Sequence, residues 1–130
     1  MECLRLAEVS PVSLDAILLA TSTPDRLLSA TAARVQHLLG ATRAFAWDLN
    51  SVCSGAVYGM DIADAMICNH RCMRVLVVAS EEYSRFLNPM DFSTYPYFGD
   101  GAGAVILQAT DQSQGGRFRG KLVAHRRSRL

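Results

Sequence analysis

The chain has 130 residues, half of them apolar and 19% charged, which is enough apolar material for one packed domain and unlike a disordered or fibrous sequence. A net charge of +1, with aromatic residues that do not interleave with basic ones, gives no electrostatic footprint for nucleic acid or an anionic membrane. The longest apolar runs, such as Ala16 to Ala20 and Val75 to Ala79, fall far short of the roughly 20 residues that cross a bilayer, so no membrane span is expected.

Leu14 to Thr21 (LDAILLAT) is a short apolar run between Ser13 and Ser22, which suits a strand covered on both faces; Thr23, Pro24 and Asp25 end it. Ser29 to Leu39 consists of good helix formers with Ala33, Val35, Leu38 and Leu39 near helical spacing, and Gly40 supplies the stop. Arg43 to Leu49 alternates around Phe45 and Trp47 and reads as a second strand. Asn50 and Ser51 then offer capping side chains to a helix from about Cys53 to Cys68, whose Val57, Met60, Ile62, Ala63, Met66 and Ile67 form a broad apolar stripe.

Arg74 to Ser80 (RVLVVAS) is the clearest strand, β-branched and apolar on both sides. Glu81 to Asp100 holds two prolines and several aromatics and is expected to be an irregular excursion with one helical turn, of the length that usually carries function. Ala102 to Gln108 returns to strand, and Arg117 to Ala124 alternates basic and apolar residues as the start of one more. This order predicts an α/β layered domain with a largely parallel sheet over residues 1–110. Residues 111–130 form a basic tail, or the truncated start of a further half. From Gly115 onward it holds Arg117, Arg119, Lys121, Arg126, Arg127 and Arg129 and no closing element.

Four cysteines (Cys3, Cys53, Cys68, Cys72) with no secretory leader before them point to a reducing cytoplasm. Among them Cys53 occupies the position of a nucleophile. It falls where a strand hands over to a helix, where unpaired backbone N–H groups and the positive end of the helix dipole favour a thiolate. Ser54, Gly55 and Ala56 are small enough to let a thioester approach, and are expected to leave backbone N–H groups free to face a developing oxyanion. The competing reading is a free cysteine serving as a small buried apolar residue.

Several words of the sequence are shared, in order and at matching spacings, with a known family. ATSTPD (Ala20 to Asp25), AFAWDLNSVCSG (Ala44 to Gly55), YGMDIADAMI (Tyr58 to Ile67), VLVVASEEYSRFLNP (Val75 to Pro89) and FGDGAGAVIL (Phe98 to Leu107) resemble the first half of the 3-oxoacyl-[acyl-carrier-protein] synthase III family. The resemblance covers about Leu14 to Leu107 and implies a thiolase-like fold, present here as a partial N-terminal half. It also implies a decarboxylative Claisen condensation in fatty acid or related biosynthesis. An acyl group would pass from coenzyme A to Cys53, and malonyl-acyl-carrier-protein would supply the attacking carbanion. Acyl-CoA and acyl carrier protein are then substrates and partners, no cofactor or metal is needed, and the full-length enzyme is expected to be a homodimer.

In that family a histidine and an asparagine from the second half complete the site. His37, His70 and His125 match neither, so the missing pair is expected beyond Leu130, and the family's opening strand and helix before Met1. The expectation is therefore a fragment without condensing activity of its own, since half a two-domain sandwich leaves a large apolar face in water. Phe92 stands where many members carry an arginine contacting the nucleotide of coenzyme A, which leaves open an acyl-carrier-protein donor or a secondary-metabolism acceptor. Leu27 stands where an aromatic often reaches the partner subunit's acyl pocket.

Three patterns are set aside. Gly99, Gly101 and Gly103 lead into a strand and no Gly-Lys-Ser/Thr follows, so packing beside the active-site cavity, as the resemblance suggests, outranks phosphate binding. Cys68, His70 and Cys72 lack the second ligand pair that a structural zinc needs. Asp61 and Asp64 read as the solvated face of the Cys53 helix, and Asp48 as a strand-end turn residue. Two alternatives to the enzyme remain: a non-catalytic thiolase-fold partner subunit, or inactive remnant, that keeps Cys53 by inheritance, and a nucleotide-binding module using the Gly99 to Gly103 loop.

Overall fold

A computed structural model of the chain describes residues 2–110 and 123–125. Helix α1 (Glu2–Leu6) leads through a 3-10 turn at Pro11–Ser13 into strand β1 (Ala16–Ala20). Every residue of β1 is buried, as an all-apolar run without polar alternation requires. Helix α2 (Thr31–Leu39) ends at Gly40, whose φ of +68° is the left-handed C-terminal stop that glycine adopts without strain. Strand β2 (Phe45–Leu49), helix α3 (Gly55–Cys68), strand β3 (Arg74–Glu82), strand β4 (Asp100–Gln108) and strand β5 (Val123–His125) follow.

The strands form one sheet in the order β2-β1-β3-β4-β5. β1 pairs in parallel with β2 (Leu18 opposite Trp47) and with β3 (Leu18 opposite Val77), while β4 runs antiparallel to β3 and β5 antiparallel to β4. Four strands thus share one direction and β4 alone is reversed. The chain steps from β1 to one neighbour through α2, then crosses to the other through α3. With right-handed crossovers, steps in opposite directions place the two helices on opposite faces. The core divides accordingly. Leu14, Ile17, Leu76 and Ile106 pack toward Val35 and Leu39 of α2, and Ala16, Leu18, Val75, Val77 and Leu107 pack toward Met60, Ala63, Met66 and Ile67 of α3.

The apolar runs place each strand where periodicity predicts it, with the boundaries of β1 to β4 moved by at most two residues. β3 runs on through Glu81 and Glu82, and β4 begins at Asp100, because those residues pair with one another across the sheet (Glu82 opposite Asp100). The excursion therefore spans residues 83–99 and contains two 3-10 turns, Tyr83–Arg85 and Tyr95–Tyr97. Of the expected strand over Arg117 to Ala124, residues 117–122 lie outside the described residues, and Val123–His125 forms β5.

Candidate active site

Cys53 is the middle residue of a 3-10 turn, Val52–Ser54, that joins β2 to the first residue of α3. Its side chain is exposed. The turn is strained: Val52 has φ +46°, a left-handed conformation rare for a β-branched residue and costing on the order of 1–3 kcal/mol. Such strain persists only where the surrounding fold imposes it, here by the short handover from a buried sheet to a helix seated against it.

The small residues after Cys53 act differently from the sequence expectation. In the 3-10 turn the Ser54 N–H donates to the Ser51 carbonyl at 3.2 Å, and the Gly55 N–H donates to the Val52 carbonyl. Both are engaged within the turn rather than free for an oxyanion. Ser51 does not cap α3 with its side chain; instead the Ser54 hydroxyl turns back to the Ser51 carbonyl at 2.9 Å. Gly55 serves packing, since a Cβ there would lie 3.1 Å from the Ala20 Cβ.

A cavity of about 320 Å³ opens beside Cys53. It lies at the carboxyl ends of the parallel strands, the edge at which open α/β sheets bind ligands. Ala20 from the end of β1, Val52 and Cys53 after β2, Ala79 to Glu81 from the end of β3, and Gly101 to Gly103 from the start of β4 line it, with Ala56, Tyr83 and Phe98. The lining is mostly apolar, and small residues make the space. A Cβ at Gly101 would meet nothing within 4 Å, so this glycine leaves room rather than a phosphate cradle.

One rim of the cavity is a polar network centred on Glu81. Its carboxylate accepts the Ser22 N–H (2.9 Å), the Ser22 hydroxyl (2.9 Å) and the Thr23 hydroxyl (3.0 Å). The Ser22 oxygen is 2.8 Å from the Tyr83 hydroxyl, and the Tyr83 ring packs on Phe98 with centroids 5.2 Å apart. Glu81, Ser22 and Tyr83 were not singled out in the sequence. The local signal is a Ser/Thr-rich turn after one buried strand and an acid at the end of another, but nothing local pairs the two.

His37 lies exposed on α2 and His70 in an exposed turn, and neither lines the cavity. Cys68 is exposed at the end of α3, whereas Cys72 is buried in the core against α3, so the CNHRC sulfurs occupy different environments. Among the described residues no group of three His, Cys, Asp or Glu side chains is placed to hold a metal. Asp61 is exposed and Asp64 half-buried. Asp48 is no turn residue. It sits within β2 and accepts the Thr31 and Ala32 N–H groups, both at 2.7 Å, capping α2 from outside because Ala30 has no side chain to do so. Phe92 and Leu27 are both exposed, on the excursion and on the loop between β1 and α2.

Helices on both faces of a mostly parallel sheet make an α/β layered fold, and the solved structures that superpose on it place it in the thiolase-like class. The structure of 3-oxoacyl-[acyl-carrier-protein] synthase III from Aquifex aeolicus VF5 superposes with a TM-score of 0.81 at 42% identity, covering 83% of this chain and 35% of that one. The priming beta-ketosynthase from the R1128 polyketide biosynthetic pathway superposes at 0.80 with 31% identity, covering 83% and 32%. Residues 47–124 match the profile of 3-oxoacyl-[acyl-carrier-protein (ACP)] synthase III. The beta-ketoacyl-[acyl-carrier-protein] synthase III of Acidiphilium cryptum (strain JF-5) is 52% identical over 106 residues, 82% of this chain and 33% of that protein. The chain belongs to the 3-oxoacyl-[acyl-carrier-protein] synthase III family, and it spans about a third of the length of the curated relatives it matches.

Proposed function

We propose that this chain carries the acyl-accepting part of a condensing enzyme, with Cys53 as the residue acylated. The observation that carries the reading is the exposed Cys53 thiol on a strained strand-to-helix turn, bordering an apolar cavity of about 320 Å³ at the carboxyl edge of the sheet. In the first step the Cys53 thiolate attacks the carbonyl of an acyl thioester; the new carbon–sulfur bond forms as the donor's thiolate leaves. In the second, malonyl-acyl-carrier-protein loses carbon dioxide and its carbanion attacks the acyl-cysteine, releasing the Cys53 thiolate and a 3-oxoacyl-acyl-carrier-protein.

Acyl-CoA and acyl carrier protein are the substrates this reading requires, and no cofactor enters either step. The histidine and asparagine that assist decarboxylation in the family belong to the remainder of a full-length chain. A homodimer is the assembly proposed for that enzyme, supported by the outward Leu27 and Leu28 on the loop after β1. All four cysteines are free thiols, which suits the reducing cytoplasm. Among the described residues no helix is long and apolar enough to cross a membrane.

The test is condensation by the protein in its full-length context, followed as carbon dioxide released from malonyl-acyl-carrier-protein in the presence of a short acyl-CoA. Cys53→Ala is expected to lower the rate by at least about 1,000-fold while the fold is retained. A variant that keeps a tenth or more of the activity would refute the assignment.

A further inference from the structure

Two carboxylates pin β1 to β3 beyond the ends of their ladder, one at each edge of the sheet. At the amino edge Asp15 accepts the Met73 and Arg74 N–H groups at 2.8 and 2.9 Å. At the carboxyl edge the last paired residues are Ala20 and Ala79. Two residues further along each strand, the Ser22 N–H donates to Glu81 at 2.9 Å, so a side chain takes the place of a backbone acceptor where strand pairing has ended. The same carboxylate accepts the Ser22 and Thr23 hydroxyls, charge-assisted bonds of the stronger kind, and the Thr23 oxygen accepts the Glu82 N–H at 2.8 Å. Thr23 is buried, so loss of the carboxylate leaves its hydroxyl without this acceptor in a place water does not reach.

What this pin holds is the seat of Cys53. The Thr21 N–H donates to the Leu49 carbonyl at 3.0 Å, fixing the last residue of β2, from which the chain enters the Cys53 turn. Ala20 is the surface on which Gly55, the residue leaving that turn, is packed. Both ends of the turn therefore rest on consecutive residues of β1, and the next residue, Ser22, is the one Glu81 holds. A turn with Val52 at φ +46° keeps that conformation only while its ends are held.

We propose that Glu81 is a positioning residue for the reaction at Cys53. Its carboxylate fixes the turn after β1, the end of β1 fixes both ends of the Cys53 turn, and the sulfur is thereby kept at the start of α3 beside the cavity. The proposal rests on Cys53 as the acyl acceptor, and its test separates failure of the one from failure of the other.

Iodoacetamide labelling of Cys53 is followed against Cys68 of the same molecule by peptide-resolved mass spectrometry on the full chain, with stability in urea measured in parallel. In the wild type the Cys53-to-Cys68 rate ratio is expected to be about ten. Glu81→Ala is expected to lower it about tenfold. Glu81→Gln keeps the length and an acceptor for the Ser22 N–H, and is expected to hold the ratio within about threefold of wild type, whereas Glu81→Asp keeps the charge but is one methylene short and is expected to behave as Glu81→Ala. Asp15→Ala removes the opposite pin and is expected to lower stability with the ratio unchanged. A wild-type ratio near one overturns the Cys53 reading and this proposal with it. A high wild-type ratio that survives Glu81→Ala, or that falls as far in Asp15→Ala, overturns the positioning role alone. Should Glu81→Ala unfold, the Gln and Asp variants decide: only a ratio kept in Glu81→Gln and lost in Glu81→Asp supports the pin, and any other order overturns it.

Discussion

Cys53 and Cys68 stand at the two ends of the same region of chain, before the first turn and at the last residue of α3, and both are exposed. One lies just before the helix and lines the cavity, the other lies at the last residue of the helix and does not, so Cys68 is an internal control for any claim about Cys53. Cys72 and Cys3 provide the opposite control. Burial first, and the Asp15 carboxylate second, push the Cys72 thiol above its ordinary range, and burial does the same for Cys3. A thiol is neutral when protonated, so the folded chain keeps these protons where the unfolded chain has begun to lose them. The stability they contribute is present at lower pH and lost as pH rises through the raised folded values. Iodoacetamide should therefore label Cys72 and Cys3 more slowly than Cys68 between about pH 7 and 9, measured peptide by peptide. Labelling of Cys72 as fast as Cys68 in the folded protein would contradict the packing. The place of Cys53 between a strand and a helix was legible in the sequence because its signals are local: a strand before, a helix after, small residues beside it. The Glu81 network was not, since its partners lie 58 and 59 residues away in the chain and meet only because β1 and β3 are neighbours.

The position of α3 is set by its glycines. A Cβ on Gly59 would lie 3.0 Å from Leu18 Cδ2 and 3.1 Å from Val77 Cγ1, and one on Gly55 would crowd Ala20, so the helix lies close against β1 and β3 and brings Cys53 to their edge. Gly59→Ala gains about 1 kcal/mol of helix propensity, which offsets much of the crowding. Gly59→Val adds two further methyl groups to the same contact and is expected to lose about 2–3 kcal/mol in urea unfolding. Equal stability of the Ala and Val variants would mean that the helix is not held at that distance. Strand and helix order were readable because apolar runs and helical stripes are local patterns. The reversal of β4 was not, because its residues suit either direction and only the return of the excursion to the same sheet edge decides it. Asp48 was misread because its role is to cap the start of the preceding helix, 16 and 17 residues back in the chain, which no local pattern around it signals.

At the scale of the molecule, a chain about a third as long as its curated relatives contains the sheet edge, the cavity and Cys53, while Val57 and Tyr58 of α3 and Phe86, Met90, Phe92 and Tyr97 of the excursion stand in solvent. Apolar surface of this kind marks where other protein packs. The family was legible because several separate words agree in order. The central claim is that one sulfur among four accepts the acyl group. Incubation of the folded protein with a short acyl-CoA, followed by peptide-resolved mass spectrometry, tests it directly. The acyl group is predicted on Cys53 and absent from Cys68, which is also exposed; acylation of both to the same extent, or of Cys68 alone, would contradict it.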